Sequence, residues 1–191
     1  MSLALSTSNS LAEEQVRLAP HRAVYDLVLD TKVAAKGIDN AKSRIVFDFT
    51  GDACDGYQLN FRQVTALDVS EGERRVIDAR TSNFESGDGQ QFRFISESTG
   101  QGIPPEKTNG EARREGDGYK ARIKLPQPGD FSFGGDAVFP SAQLKAVIRA
   151  ARARESTLTL PMFDGSEEGR QVYDTLSVIG RKIAGGPSSG L

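Results

Sequence analysis

The strongest constraint on this chain is a one-by-one alternation of apolar and polar residues that recurs along its length. In Tyr119-Lys120-Ala121-Arg122-Ile123-Lys124-Leu125 the odd positions are apolar and the even ones cationic. Successive side chains of a β-strand leave opposite faces, so such a stretch describes a sheet with one buried and one wetted face. Ile45/Phe47/Phe49, Tyr57/Leu59/Phe61 and Phe92/Phe94 carry the same texture. Together they imply a mainly β protein built on a large, curved antiparallel sheet. A sheet of that kind serves more often as a shell or platform than as a catalytic scaffold.

The 191 residues suffice for one β-rich domain with a sizeable core. A hydrophobic share of 37% and a charged share of 26% read as soluble and globular, and 20 glycines fit many turns. A net charge of -2 gives no electrostatic case for nucleic acid. No apolar run approaches the ~20 residues of a membrane-spanning helix. Met1 to Gln15 has no basic residue and no long apolar core, so it is not a signal peptide as it stands. Met1-Ser2-Leu3 would suit a short cloning remnant ahead of a mature N-terminus. Residues 1–17 read as a flexible arm, 18–184 as a single domain, and 185–191 as a Gly/Ser tail.

Strands are expected over His21 to Val33, Ser43 to Thr50, Tyr57 to Gln63, Arg75 to Phe84, Gln91 to Ser98, Thr108 to Arg114 and Tyr119 to Leu125. Gly37 to Lys42 reads as a turn and Gly100 to Pro105 as a break. Asp55-Gly56, Asp88-Gly89, Asp117-Gly118 and Asp164-Gly165 are hairpin-turn signals. Pro126, Pro128, Gly129, Gly134 and Gly135 punctuate what reads as a loop carrying Phe131 and Phe133. Leu144, Val147, Ile148 and Ala151 have helical spacing, which predicts one amphipathic helix over 141–155, with Ser141 as N-cap, packed on the sheet. A last hairpin joins Thr157 to Phe163 with Arg170 to Ile179.

Catalytic chemistry finds little support. His21 is the one imidazole, sits beside Pro20, and reads as a structural or surface histidine. One His and one Cys do not make a zinc site. The acidic loops Asp52 to Asp55 and Asp164 to Glu168 read as ordinary turns before they read as calcium sites. No pair of carboxylates stands out for glycoside hydrolysis. No cofactor or metal is expected. Phe131 and Phe133 either line the mouth of a cleft or plug the core. Lys145, Arg149, Arg152 and Arg154 give the helix a basic side, which is either a solvated face or a surface for an acidic protein or anionic lipid. Cys54 is the lone cysteine, so counting alone says nothing about its redox state.

Three segments carry a resemblance. They are Leu18-Ala19-Pro20-His21-Arg22-Ala23-Val24-Tyr25-Asp26-Leu27, Gly51-Asp52-Ala53-Cys54-Asp55-Gly56-Tyr57 and Phe139-Pro140-Ser141. The chain resembles the cell-envelope integrity protein EipB family of alphaproteobacterial periplasmic proteins. That resemblance implies a β-spiral, an open half-barrel of curved antiparallel sheets with helices at its side. It also implies a periplasmic location and a role in envelope homeostasis without known catalysis. In that family a first cysteine matches Cys54 and pairs with a second near the C-terminus. This chain has no second cysteine, so the resemblance makes it a truncated or unusual member with an exposed sheet edge.

Three functional expectations follow. The first is a non-enzymatic periplasmic protein that maintains the envelope by binding another protein, through an edge strand or the basic helix. The alternative is a carrier or chaperone for a lipid or lipidated protein, held in a cleft lined by Phe47, Phe49 and Phe61, with Phe92 and Phe94. The third and most remote is a carboxylate-based hydrolase.

Overall fold

The computed structural model describes residues 16–30, 32, 37–70 and 72–183. Among these residues eight strands form one antiparallel meander. They are β1 (His21–Val28), β2 (Ile38–Asp52), β3 (Gly56–Val69), β4 (Arg75–Glu85), β5 (Gln91–Gly100), β6 (Ile103–Glu115), β7 (Gly118–Leu125) and β8 (Gly129–Gly134). Each pairs with its neighbours in chain order, and no ladder joins β8 to β1, so the sheet is an open half-barrel. Helix α1 (Pro140–Arg152) follows, then a separate hairpin of β9 (Thr157–Met162) and β10 (Tyr173–Val178), with one 3₁₀ turn at Glu167–Gly169 between them. Among the described residues no helix is long and apolar enough to cross a membrane. The expected tail over 185–191, and the expected arm apart from Val16 and Arg17, lie outside the described residues.

Strand register converts the alternating pattern into a single inner face. One row across the sheet runs Phe49, Leu59, Asn83, Phe94, Gly110, Ile123, and the next runs Tyr57, Glu85, Phe92, Ala112, Ala121, Phe131. Two hydrophobic clusters form on it. The first joins Phe92, Phe94, Tyr119, Ala121 and Ile123 of the sheet to Phe139, just before α1, and Phe163, just after β9. Phe163 is wholly buried and stacks on Phe133 at 4.6 Å between ring centres. Burying each such ring contributes about 2–3 kcal/mol by area. The second cluster joins Val16, Leu18, Phe49 and Tyr57, with Phe47, Leu59 and Ile148 packed against it.

Several local expectations need correction. The supposed loop carrying Phe131 and Phe133 is strand β8, paired with β7 so that Phe131 faces Ala121 and Phe133 faces Tyr119. β2 and β3 extend well past the expected turn at Gly37 to Lys42. Their outer halves are joined by polar cross-strand contacts such as Asn40 Nδ2 to Asp68 Oδ2 at 3.0 Å and the Ser43–Thr65 hydroxyl pair at 2.8 Å. The break expected at Gly100 to Pro105 shrinks to a turn, because β6 already starts at Ile103. β1 ends at Val28, short of the expected Val33.

The helix begins one residue early and ends three early. Its N-cap position is Phe139 rather than Ser141, and Pro140 opens the first turn. At the other end Arg154 turns left-handed at φ 62, while the Glu155 and Arg154 N–H groups return to the Ala150 and Ala151 carbonyls. That double closure is a Schellman stop, so the helix ends despite the helix-compatible residues that follow.

Candidate functional site: an apolar cleft beneath helix α1

Phe163 and β8 fill one half of the inner face. Over the other half lies α1, and between helix and sheet remains an open cleft of about 480 Å³. That volume falls within the roughly 300–1,000 Å³ of small-ligand sites. Its sheet wall is Phe47 and Phe49 of β2, Tyr57 and Leu59 of β3, and Phe92 of β5. Its helix wall is Leu144 and Ile148, four residues apart and therefore on one face of α1. Leu18 closes a third side. Leu144 is 45% exposed, so this apolar side chain faces the opening rather than a packed neighbour.

The aromatic wall is ordered by ring contacts. Tyr57 stacks on Phe49 at 5.7 Å and 11°, and Phe49 stacks on Phe47 at 6.5 Å. His21 continues the row, stacked on Phe47 at 5.2 Å. Its Nδ1 lies 2.8 Å from the Ala19 carbonyl. A carbonyl only accepts, so Nδ1 carries the proton there. Arg17 also borders the opening.

Two polar residues stand on the same wall. Glu85 ends β4 and is only 4% exposed. Its Oε2 accepts the Ser141 backbone N–H at 2.7 Å and its Oε1 accepts the Ala142 N–H at 3.1 Å. The carboxylate thus caps α1 from across the fold, in place of a local side-chain cap. Burial pushes the Glu85 carboxyl above the usual value, while the Ser141 and Ala142 donors and the Lys145 charge oppose that shift. Asn83 lies two residues earlier on the same face and is 8% exposed. Its Oδ1 is buried with no hydrogen-bond partner among the described residues.

Of the aromatics expected to line a cleft, Phe47, Phe49 and Phe92 line this one and Phe94 does not. Phe61 sits opposite Phe47 in register but outside the lining. Phe131 and Phe133 pack against the other cluster, with Phe94 at its centre. Lys145 leans over the Tyr57 ring, its Nζ 4.3 Å from the centroid, while Arg149 and Arg152 are exposed further along α1. Cys54 is free and exposed on the β2–β3 turn, where its N–H donates to Asp52 Oδ1 at 2.7 Å. Among the described residues no cluster of His, Cys, Asp and Glu is arranged to hold a metal.

Glu85 and Asn83 escaped the sequence reading. Their one signal is a polar residue at two successive inward positions of a strand whose partners there, Phe92 and Phe94, are apolar.

The EipB-like family model matches residues 12–190. The cell envelope integrity protein EipB of Brucella abortus is 35% identical over 173 residues. That match covers 91% of this chain and 61% of the relative, so the chain spans about three fifths of the relative's length. A crystal structure of a β-barrel-like protein of a domain of unknown function, also from Brucella abortus, superposes with a TM-score of 0.81 at 34% identity, covering 91% of this chain and 72% of that one.

Proposed function

The chain belongs to the EipB-like family, and we propose that it acts in the periplasm as a non-enzymatic protein of cell-envelope maintenance, holding one acyl chain of a lipid or lipidated protein beneath α1. The carrying observation is that the cleft between α1 and the sheet stays open, with buried Phe49 and Phe92 at its floor and half-buried Phe47 and exposed Leu144 facing its space. Phe47, Leu59, Ile148 and above all Leu144 keep apolar area in water along this opening, and an acyl chain would remove its own surface from water there at about 0.8 kcal/mol per methylene. The envelope role is supported by the name of the Brucella relative. The non-enzymatic reading is supported by Glu85, the carboxylate lining the cleft, whose two oxygens are both taken by helix N–H donors.

The test is fluorescence titration with cis-parinaric acid, a polyene fatty acid that brightens in apolar surroundings. Saturable binding to the wild type is expected. Phe47→Glu and Leu144→Glu should each weaken it about tenfold or more, a loss of ~1.4 kcal/mol. Absence of saturable binding below about 1 mM, where the free energy is only about −4 kcal/mol, would remove the acyl-chain reading.

A second reading rests on a different observation. The edge strand β1 exposes Val24, Tyr25, Leu27 and Val28. Among the described residues β1 pairs with β2 alone, and an apolar edge left open is a template for strand addition by a protein partner. Photocrosslinkers at Val24 or Val28 should trap that partner in the native compartment, and silence at both positions would count against this mode.

A further inference from the structure

We propose that the cleft selects an acyl chain bearing a hydrogen-bond donor, an amide N–H or a hydroxyl, and that Asn83 Oδ1 is the acceptor that reads it. The inference rests on the acyl-chain reading and names the class of chain. Two other polar groups of the cleft lining already have partners. Glu85 uses both oxygens on the Ser141 and Ala142 N–H groups. His21 Nδ1 is held by the Ala19 carbonyl. Asn83 Oδ1 is buried and has no partner among the described residues, in a residue that is only 8% exposed. In register it lies between Leu59 and Phe94, neither of which offers a side-chain donor.

A buried acceptor left without a donor is unfavourable, and most such atoms in folded proteins are paired. A strand residue facing an apolar wall would ordinarily be apolar, as Phe92 and Phe49 are. Asn83 breaks that rule where the cleft is open, so the missing donor can arrive with a ligand. A plain hydrocarbon or ester chain would cover the oxygen and leave it unpaired. A chain with an N–H or O–H at that point would satisfy it. A site with a buried polar group discriminates in just this sense, against the analogue that lacks the matching group.

The test is competition against bound cis-parinaric acid by three ligands of one chain length. They are N-methylmyristamide, which has an N–H, methyl myristate, its ester isostere with no donor, and methyl 3-hydroxymyristate, which has an O–H. The wild type should take the amide or the hydroxy ester about five- to tenfold more tightly than the plain ester, the weight of one neutral hydrogen bond. Whichever donor is preferred identifies the source. Asn83→Leu should abolish the preference while still binding the plain ester, and its folding should be intact because an unpaired polar group is replaced by an apolar one of similar size. Equal displacement by all three ligands in the wild type, with parinaric acid bound, overturns this proposal and leaves the acyl-chain reading standing. A preference that survives Asn83→Leu overturns the assignment to Asn83. Failure of parinaric acid and all three ligands to bind overturns both readings.

Discussion

The Glu85 carboxylate receives the Ser141 backbone N–H at 2.7 Å, so the last residue of β4 holds the first turn of α1 from 56 positions away in sequence. The contact joins the floor of the cleft to its lid. It also explains why α1 needs no local cap: the orphan donors of its first turn point at a full negative charge, the sign the helix dipole favours there.

Removing that carboxylate should loosen the helix start. Glu85→Ala is expected to cost about 2 kcal/mol, the upper part of the range for lost helix caps with buried partners. Glu85→Gln keeps one acceptor but turns an NH2 group toward the other N–H, and should cost about 1 kcal/mol. Urea midpoints at unchanged slope measure both. An alanine variant within ~0.5 kcal/mol of wild type, no more than an ordinary surface change, would show that the cap carries no weight.

Glu85 also makes a signed statement about pH. Burial raises its folded-state value above the usual 4.5 or so. Below that usual value the group is neutral in both folded and unfolded chains, and its desolvation costs nothing. As pH rises past it the unfolded chain ionises first, so the folded state binds more protons and stability falls until the raised value is passed. Wild type should therefore lose stability relative to Glu85→Gln over that window and then run parallel to it. Asp78 works in the opposite direction. Arg62 and Arg80 hold its carboxyl well below the usual range. Its contribution is present above the ordinary aspartate value and is lost as pH falls toward the depressed one, and Asp78→Asn should remove that acid-side loss. Chemical denaturation of the three proteins across acidic to neutral pH reads both slopes. Identical profiles for wild type and Glu85→Gln would mean that the carboxyl is not held at a raised value.

What the sequence disclosed follows from how local each signal is. Tyr119 to Leu125 announced a strand because alternation is a property of neighbours, and Tyr119, Ala121 and Ile123 are indeed buried. The helix was legible from its apolar spacing, and the Leu-Ala-Pro-His-Arg-Ala start pointed to the family that the comparisons show. Phe131 and Phe133 were hidden by the prolines and glycines around them, since a six-residue edge strand between turn residues looks like a loop. The start of β2, before Ser43, and the end of β3, after Gln63, were hidden because Asn40 and Asp68 tie that part of the ladder through a polar pair, which interrupts the hydrophobic period. The cleft was half legible. Phe47 and Phe49 stood out as inward residues, but Glu85 and Asn83 acquire meaning only once β4 is placed against β5 and α1. No local pattern encodes a cap that comes from a distant strand.

The packed half of the inner face depends on glycines in a way that can be separated from turn strain. The Phe94 ring is enclosed by Gly110, Gly165 and Gly169. A Cβ at Gly110 would come within 2.6 Å of Phe94 Cζ and 3.0 Å of the Arg122 carbonyl. Phe94 is 2% exposed and has nowhere to retreat. Gly110→Ala should therefore cost about 1–3 kcal/mol by overpacking. Gly116→Ala is the control. Gly116 has φ +60, but a Cβ there meets nothing within 4 Å, so its cost is the left-handed conformation alone, about 1 kcal/mol. The two costs are distinguished by a double-mutant cycle with Phe94→Leu, whose smaller side chain makes room beside Gly110 and leaves Gly116 untouched. The penalty of Gly110→Ala should shrink in that background while the penalty of Gly116→Ala stays constant. Equal penalties for Gly110→Ala with and without Phe94 would show that the ring does not rest against that strand.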